Sequence, residues 1–204
     1  LNAYEKGNDT AILVDENNNL SINKFKSILR QYPNLSIVVG GVTLELSEKE
    51  PRAKPLSQES NQWYKVYNTA LSISNTELKM YHKSKLVPGA EQMPFQEFLY
   101  PIFNDQVLQI GNSTALGNFA KQDSISLFST FSKNYLAPII CYESIYGDYV
   151  RQFIDKGAEL ICIITNDGWW KKTSGYLQHH AYARLRAIET RRYVARSANT
   201  GVSS

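Results

Sequence analysis

In the last third of the chain, three short apolar runs at residues 136–140, 160–165 and 194–197 are separated by two helix-length segments. This alternation restricts the fold sharply, because continuous apolar strands joined by helices pair in parallel and are covered on both faces. The first run stops abruptly at Cys141, which is followed by Tyr142, Glu143 and Ser144, and a helix-like segment begins near Gly147 and stops at Gly157. A buried strand that ends on a thiol and turns into a helix puts the sulfur at the carboxyl edge of a sheet, where the clefts of α/β folds open. A nearby helix start also favours the thiolate, the nucleophilic form. Read alone, Cys141 also fits a packing thiol, since free cysteine is among the most buried residue types.

The rest of the chain supplies hairpins and one more helix. Residues 11–14 form a short strand, and 15–19 a polar turn. Leu20, Ile22, Phe25, Ile28, Leu29 and Tyr32 then fall at near-helical spacing until Pro33. The β-branched run 35–39 closes on Gly40-Gly41 and reads as a buried parallel strand, and the charged stretch 45–62 with Pro51 and Pro55 as a surface loop. Residues 64–74 and 77–82 alternate around Asn75-Thr76, which predicts a hairpin, followed by a loop from Lys83 to Pro94. Residues 95–125 carry no usable pattern; strands follow at 126–131 and 136–140 around a turn at Lys133-Asn134. The final helix, over 178–193, carries Ala181, Leu185 and Ile188 on one stripe and Arg186, Glu189 and Arg192 on another face, where they can pair. These elements predict one mixed α/β layered domain over residues 1–204.

Composition narrows the function classes. Apolar residues make up 43% of the 204 and charged ones 20%, an ordinary globular balance. A net charge of +3 without a dense Lys/Arg block gives no footprint for nucleic acid. The two cysteines make no disulfide framework, and no CxxC or Cys/His spacing suggests a metal, so no cofactor or metal is expected. No apolar run approaches a bilayer-spanning helix. Leu1 is not an initiating Met and the chain runs out of a strand-like segment at Ser204, so it reads as a piece of something longer, cut at both ends.

The chemistry-bearing candidates lie in loops. Lys83 ends a hairpin strand, where an ammonium can lower a thiol pKa and donate to an oxyanion, or simply sit in solvent. Glu91 can orient that lysine or move a proton. Trp169 and Trp170 are large rings beside a strand end, packing over a neighbouring element or a substrate. The adjacent His179 and His180 lack metal-pair spacing and read as structural or surface residues, and Cys162, mid-strand, as core.

Taken together, Tyr-His-Lys-Ser-Lys-Leu-Val-Pro-Gly-Ala-Glu (81–91), Ile-Cys-Tyr-Glu-Ser-Ile-Tyr-Gly (140–147), Thr-Asn-Asp-Gly-Trp-Trp (165–170) and Ala-Arg-Leu-Arg-Ala-Ile-Glu-Thr-Arg-Arg (183–192) resemble the carbon–nitrogen hydrolase, or nitrilase, superfamily. Within it they are similar to the apolipoprotein N-acyltransferases, in the form found in Bacteroidetes-type bacteria. The resemblance implies a nitrilase-like α-β-β-α sandwich and a Glu–Lys–Cys triad. It puts the nucleophile on Cys141, the lysine on Lys83 and a further glutamate on Glu91. Tyr142, Glu143, Trp169 and Trp170 are then expected around the oxyanion and substrate, the Tyr142 N–H completing an oxyanion hole with Lys83. The first glutamate of the triad has no match: no Pro-Glu-Thr-Ala stretch is present, and Asp9 and Glu16 are the candidates for an unassigned base. The implied partners are a phospholipid acyl donor and a diacylglyceryl apolipoprotein acceptor. The implied location is the periplasmic side of the bacterial inner membrane, reached through spanning segments absent from this chain. The rival readings are a soluble amidase or nitrilase of the same superfamily and a lipid- or protein-binding domain that has lost the base.

Overall fold

In a computed structural model the first half of the chain builds an antiparallel sheet and the second half a mainly parallel one. Residues 2–6, 10–14, 16–50, 52–56, 61–92, 119–171 and 173–204 are described, those up to residue 23 by their backbone course alone. The base candidate Asp9, Asp15 of the expected turn, Pro51 and Pro94 lie outside them.

The first sheet contains β1 (Asn2–Lys6) and β2 (Thr10–Val14), with helix α1 (Glu16–Gln31) following, then β3 (Ile37–Ser47), β4 (Lys54–Pro55), β5 (Trp63–Ile73) and β6 (Leu78–His82). Its order is β1-β2-β3-β5, with β4 and β6 both pairing β5. The sequence placed a polar turn over 15–19, but α1 already begins at Glu16. A first helical turn needs no apolar residues, because its backbone N–H groups face solvent or polar partners. The expectation of a parallel strand over 35–39 is also corrected. β3 runs to Ser47 and pairs antiparallel with both β2 and β5. Its apolar run reflects cover on both faces, which does not require parallel neighbours. Val38 packs toward the second sheet's core, whereas Ile37 and Val39 pack with Leu29 of α1, Leu71 and Ile73.

The second sheet contains β7 (Phe128–Ser129), β8 (Tyr135–Ile140), β9 (Leu160–Asn166) and β10 (Tyr193–Asn199), in the order β10-β9-β8-β7. Helix α2 (Gly147–Asp155) joins β8 to β9, α3 (Gly175–Thr190) joins β9 to β10, and both pairings are parallel. Gly157 ends α2's turn with a φ of 98°, and Arg191 follows α3 with a φ of 53°. Val150 and Phe153 of α2 meet Ile139, Ile161 and Ile163 in a core from which solvent is nearly absent. Burying each such side chain contributes roughly 1.5–3 kcal/mol.

α3 differs from its reading. The Ala181, Leu185 and Ile188 stripe faces outward, Ile188 being 74% exposed, and the buried positions are His179, Ala183 and Arg186. Arg186 pairs with Glu189 at 3.0 Å, while Arg192 donates to the Ala158 carbonyl instead of joining them. Layered in order are α1, the two sheets, then α2 and α3, the α-β-β-α arrangement.

Candidate active site

The carboxyl ends of β8, β9 and β10 open onto a cleft of about 540 Å³, bounded on its other side by β3, β5 and the loop after β6. Lys83, Glu91, Cys141 and Trp169 all line it, among apolar walls that include Val42, Phe119 and Ile164.

Lys83 follows β6 directly, anchored by its N–H to the Asn68 carbonyl at 2.8 Å. Its side chain is 1% exposed, and Nζ donates to both Glu91 oxygens, at 2.8 and 2.7 Å. A buried ammonium is tolerable only when paired in this way. Asn68 Nδ2 donates to Glu91 at 2.6 Å and the Val87 N–H at 2.8 Å, so the carboxylate is fixed by four contacts. Its position depends on a tight turn in which Gly89 adopts a φ of 80°, where a side chain would be strained. Glu91 is thus fixed as the orienting partner of Lys83, leaving one of the ammonium's three N–H bonds for the cleft.

Cys141 follows β8 directly and opens a single 3-10 turn, Cys141–Ile145, with a φ of 51°. Left-handed backbone at a non-glycine residue costs free energy and persists only where the surroundings enforce it. Part of that enforcement comes from Glu143. Sequence reasoning expected Glu143 beside the substrate; the structure corrects this, for the side chain has no solvent exposure and accepts four hydrogen bonds. They come from the Ile140 N–H at 2.8 Å, the Ser84 N–H at 2.6 Å, the Lys85 N–H at 3.2 Å and Tyr81 Oη at 2.7 Å. One carboxylate therefore ties the strand end carrying the cysteine to the loop carrying the lysine. Burial raises the Glu143 carboxyl above its ordinary range, against the opposing pull of these donors.

Trp169 lines the cleft and is 63% exposed. Trp170, expected to share that role, is not among the residues lining it: its ring lies against Gly175, where even a Cβ would come within 2.3 Å. Tyr142 is half-buried and packs edge-on against Tyr146, with ring centroids 5.3 Å apart. Glu16 is the first residue of α1, described by backbone alone. Cys162 packs against the core as expected, and burial pushes its thiol up to about 11.

Sequence reasoning missed a buried polar cluster behind the cysteine. His179, read as structural or surface, is 5% exposed and lies between Asp167 and the Cys141 backbone, while Arg196 pairs with Asp167 at 2.7 Å. Desolvation would raise the Asp167 carboxyl, but donors from Arg196 and His179 outweigh it and hold it below the usual range. The available signal was position: Asp167 follows β9, His179 lies in the first turns of α3, and Arg196 lies in β10, next to the strand ends where such folds place their sites.

Comparison with known proteins adds three findings. The family model for carbon-nitrogen hydrolases matches residues 11–204. Proteins named apolipoprotein N-acyltransferase match from Chlorobaculum tepidum, at 34% identity over 146 residues (69% of this chain, 27% of that protein), and from Wigglesworthia glossinidia brevipalpis, at 34% over 124 residues (61% and 24%). The chain thus spans about a quarter of the length of these curated relatives. Among solved structures, an amidase from Nesterenkonia sp. AN1 superposes with a TM-score of 0.51 at 16% identity, covering 88% of this chain and 54% of its own, a likeness of fold.

Proposed function

The chain belongs to the carbon–nitrogen hydrolase family, and on that premise we propose that it performs acyl transfer, carrying the acyl group as a thioester on Cys141. The donor is a phospholipid and the acceptor the α-amino group of a diacylglyceryl-cysteine at an apolipoprotein N-terminus. The observation that carries this reading is the convergence of Lys83, Glu91 and Cys141 on one open, apolar-walled cleft with an exposed tryptophan beside it. Its reaction class is that of the similar proteins named apolipoprotein N-acyltransferase.

A carboxylate base takes the Cys141 proton, Asp9 and Glu16 being the candidates. The thiolate attacks the ester carbonyl, and the developing oxyanion is received by the Lys83 ammonium and the Tyr142 N–H. The C–O bond breaks, the proton goes to the departing lysophospholipid oxygen, and the thioester remains. The acceptor amine then attacks that carbonyl and loses a proton to the base; the amide forms and the thiolate is restored. Glu91 holds the ammonium in place throughout. Trp169 and the apolar walls offer surface to an acyl chain. Such a donor resides in a bilayer, so the reading puts the cleft at a membrane face, which the resemblance to the apolipoprotein N-acyltransferases makes the periplasmic face of the inner membrane. Among the described residues no helix is long and apolar enough to cross it, and segments elsewhere in the protein would anchor it.

The test is incubation of the complete protein with phosphatidylethanolamine followed by intact-mass measurement. Acyl transfer predicts a mass gain of one acyl group on Cys141, discharged by an N-terminal diacylglyceryl-cysteine peptide. Discharge to water alone would identify a hydrolase, and no adduct would leave a binding domain.

A further inference from the structure

The buried cluster behind the cysteine ends on the nucleophile's own backbone. Asp167 Oδ2 accepts from Arg196 Nη2 at 2.7 Å, with both side chains fully withdrawn from solvent. Asp167 Oδ1 lies 2.9 Å from His179 Nδ1 and accepts from Thr165 Oγ1 at 3.1 Å, and Arg196 Nη2 is also 3.2 Å from Nδ1. The other ring nitrogen, Nε2, is 3.1 Å from the Cys141 carbonyl oxygen and 3.1 Å from Ser144 Oγ. Ser144 Oγ donates to that same carbonyl at 2.8 Å. With its hydrogen committed there, the hydroxyl offers Nε2 only lone pairs, as the carbonyl does, and the Asp167 carboxylate offers Nδ1 only lone pairs, so both ring nitrogens carry a hydrogen and donate, Nδ1 to Asp167 and Nε2 to the carbonyl.

The carbonyl held by these two donors is one half of the Cys141–Tyr142 peptide. The unit is planar and trans, so fixing the C=O fixes the Tyr142 N–H on its opposite side. Donors on a carbonyl also polarise the amide and strengthen its N–H as a donor. We propose that His179, held by Asp167 and Arg196, is a positioning residue that aims and strengthens the Tyr142 N–H as the oxyanion donor. This rests on the acyl-transfer reading of the site, in which that N–H receives the charge. It also gives a reason for the left-handed Cys141: the turn presents the carbonyl inward to His179.

Two reactions of Cys141 in the complete protein separate this role from simple packing. In alkylation by iodoacetamide the thiolate displaces iodide and no oxyanion forms. In acylation by p-nitrophenyl acetate the S–C bond forms through a tetrahedral oxyanion, p-nitrophenolate leaves and the thiol proton goes to the base. His179→Ala is expected to slow acylation by about 10- to 100-fold, below the loss for a direct oxyanion donor, and to leave alkylation within about twofold. His179→Gln, whose amide N–H can reach the same carbonyl, recovers part of the loss. Should His179→Ala fail to fold, Ser144→Ala removes the other donor and is expected to lower acylation selectively. Equal losses in both reactions, or unchanged acylation, overturn the proposal while the acyl-transfer reading stands. A parent protein that alkylates but never acylates on Cys141 removes both.

Discussion

Glu143→Gln tests the staple between the two halves of the site with a change of a single functional group. The carboxylate takes three donors on Oε1, from Tyr81, Ser84 and Lys85, and one on Oε2, from Ile140. The best placement of the amide keeps its oxygen on the threefold side and turns its NH2 against the Ile140 N–H. That leaves a buried donor facing a donor, a cost of about 1–3 kcal/mol. The three retained bonds pass from charge-assisted to neutral, losing roughly 1 kcal/mol each, while relief of the buried charge offsets part of this. A net destabilisation of about 2–4 kcal/mol is expected, read as a lower urea midpoint with an unchanged slope. The kinetic effect is larger than stability alone dictates, because the same group aligns Ile140 with Ser84 and Lys85, next to Cys141 and Lys83. A displacement of about 1 Å there is enough for roughly a hundredfold loss in acylation of Cys141. A variant that unfolds within about 0.5 kcal/mol of the parent and acylates at the parental rate would refute the coupling inferred here.

Lys83→Gln is expected to lower Cys141 acylation by about 10²–10³-fold, measured as the p-nitrophenolate burst rate. Asp167→Asn leaves the Arg196 guanidinium buried without its counter-charge and should destabilise the fold by about 3–5 kcal/mol in denaturant titration. Because the folded Asp167 carboxyl is held below its unfolded value, its stabilisation is complete above the ordinary carboxylate range near about 3.9 and is lost as pH falls through the lowered folded value. Melting temperatures across acid pH should therefore fall less steeply in Asp167→Asn than in the parent. Trp169→Ala, at a 63% exposed position, should leave the melting temperature nearly unchanged. It should raise KM for long-chain donors about tenfold, equivalent to ~1.4 kcal/mol, with little change for acetyl esters.

The parallel half of the fold was legible because its sequence agrees with itself at several levels. Uniform apolar runs, a glycine stop at Gly157 and helix-length spacers all point to one arrangement, and they deliver Cys141 to the sheet edge. Position alone left Lys83 and Glu91 open between a site and a solvated loop, and motif resemblance was needed to join them to Cys141, since a lysine after a hairpin strand carries no sign of burial. β3 was misread because a run of apolar residues reports cover on both faces and not the direction of its neighbours. In α3 the Ala181, Leu185 and Ile188 stripe looks like a core face, yet it faces outward and the buried face carries the polar His179 and Arg186, His179 held by the buried Asp167 and Arg186 paired with the exposed Glu189. Glu143 was misplaced for a related reason. Adjacency to a nucleophile suggests contact with substrate, whereas a carboxylate three residues past Ile140 is also at the right distance to close back on that strand end.

A close approach of the two sheets governs more than packing. A Cβ on Gly40 would stand 2.6 Å from Ile164 Cγ2, so a bare backbone at that point allows the layers to meet. Lys83 hangs from one layer and Cys141 from the other, which makes the amine-to-sulfur span a clearance between two plates, with Gly40 as the missing shim. A methyl group inserted at residue 40, which lines the cleft, would therefore act on the chemistry by wedging the layers apart.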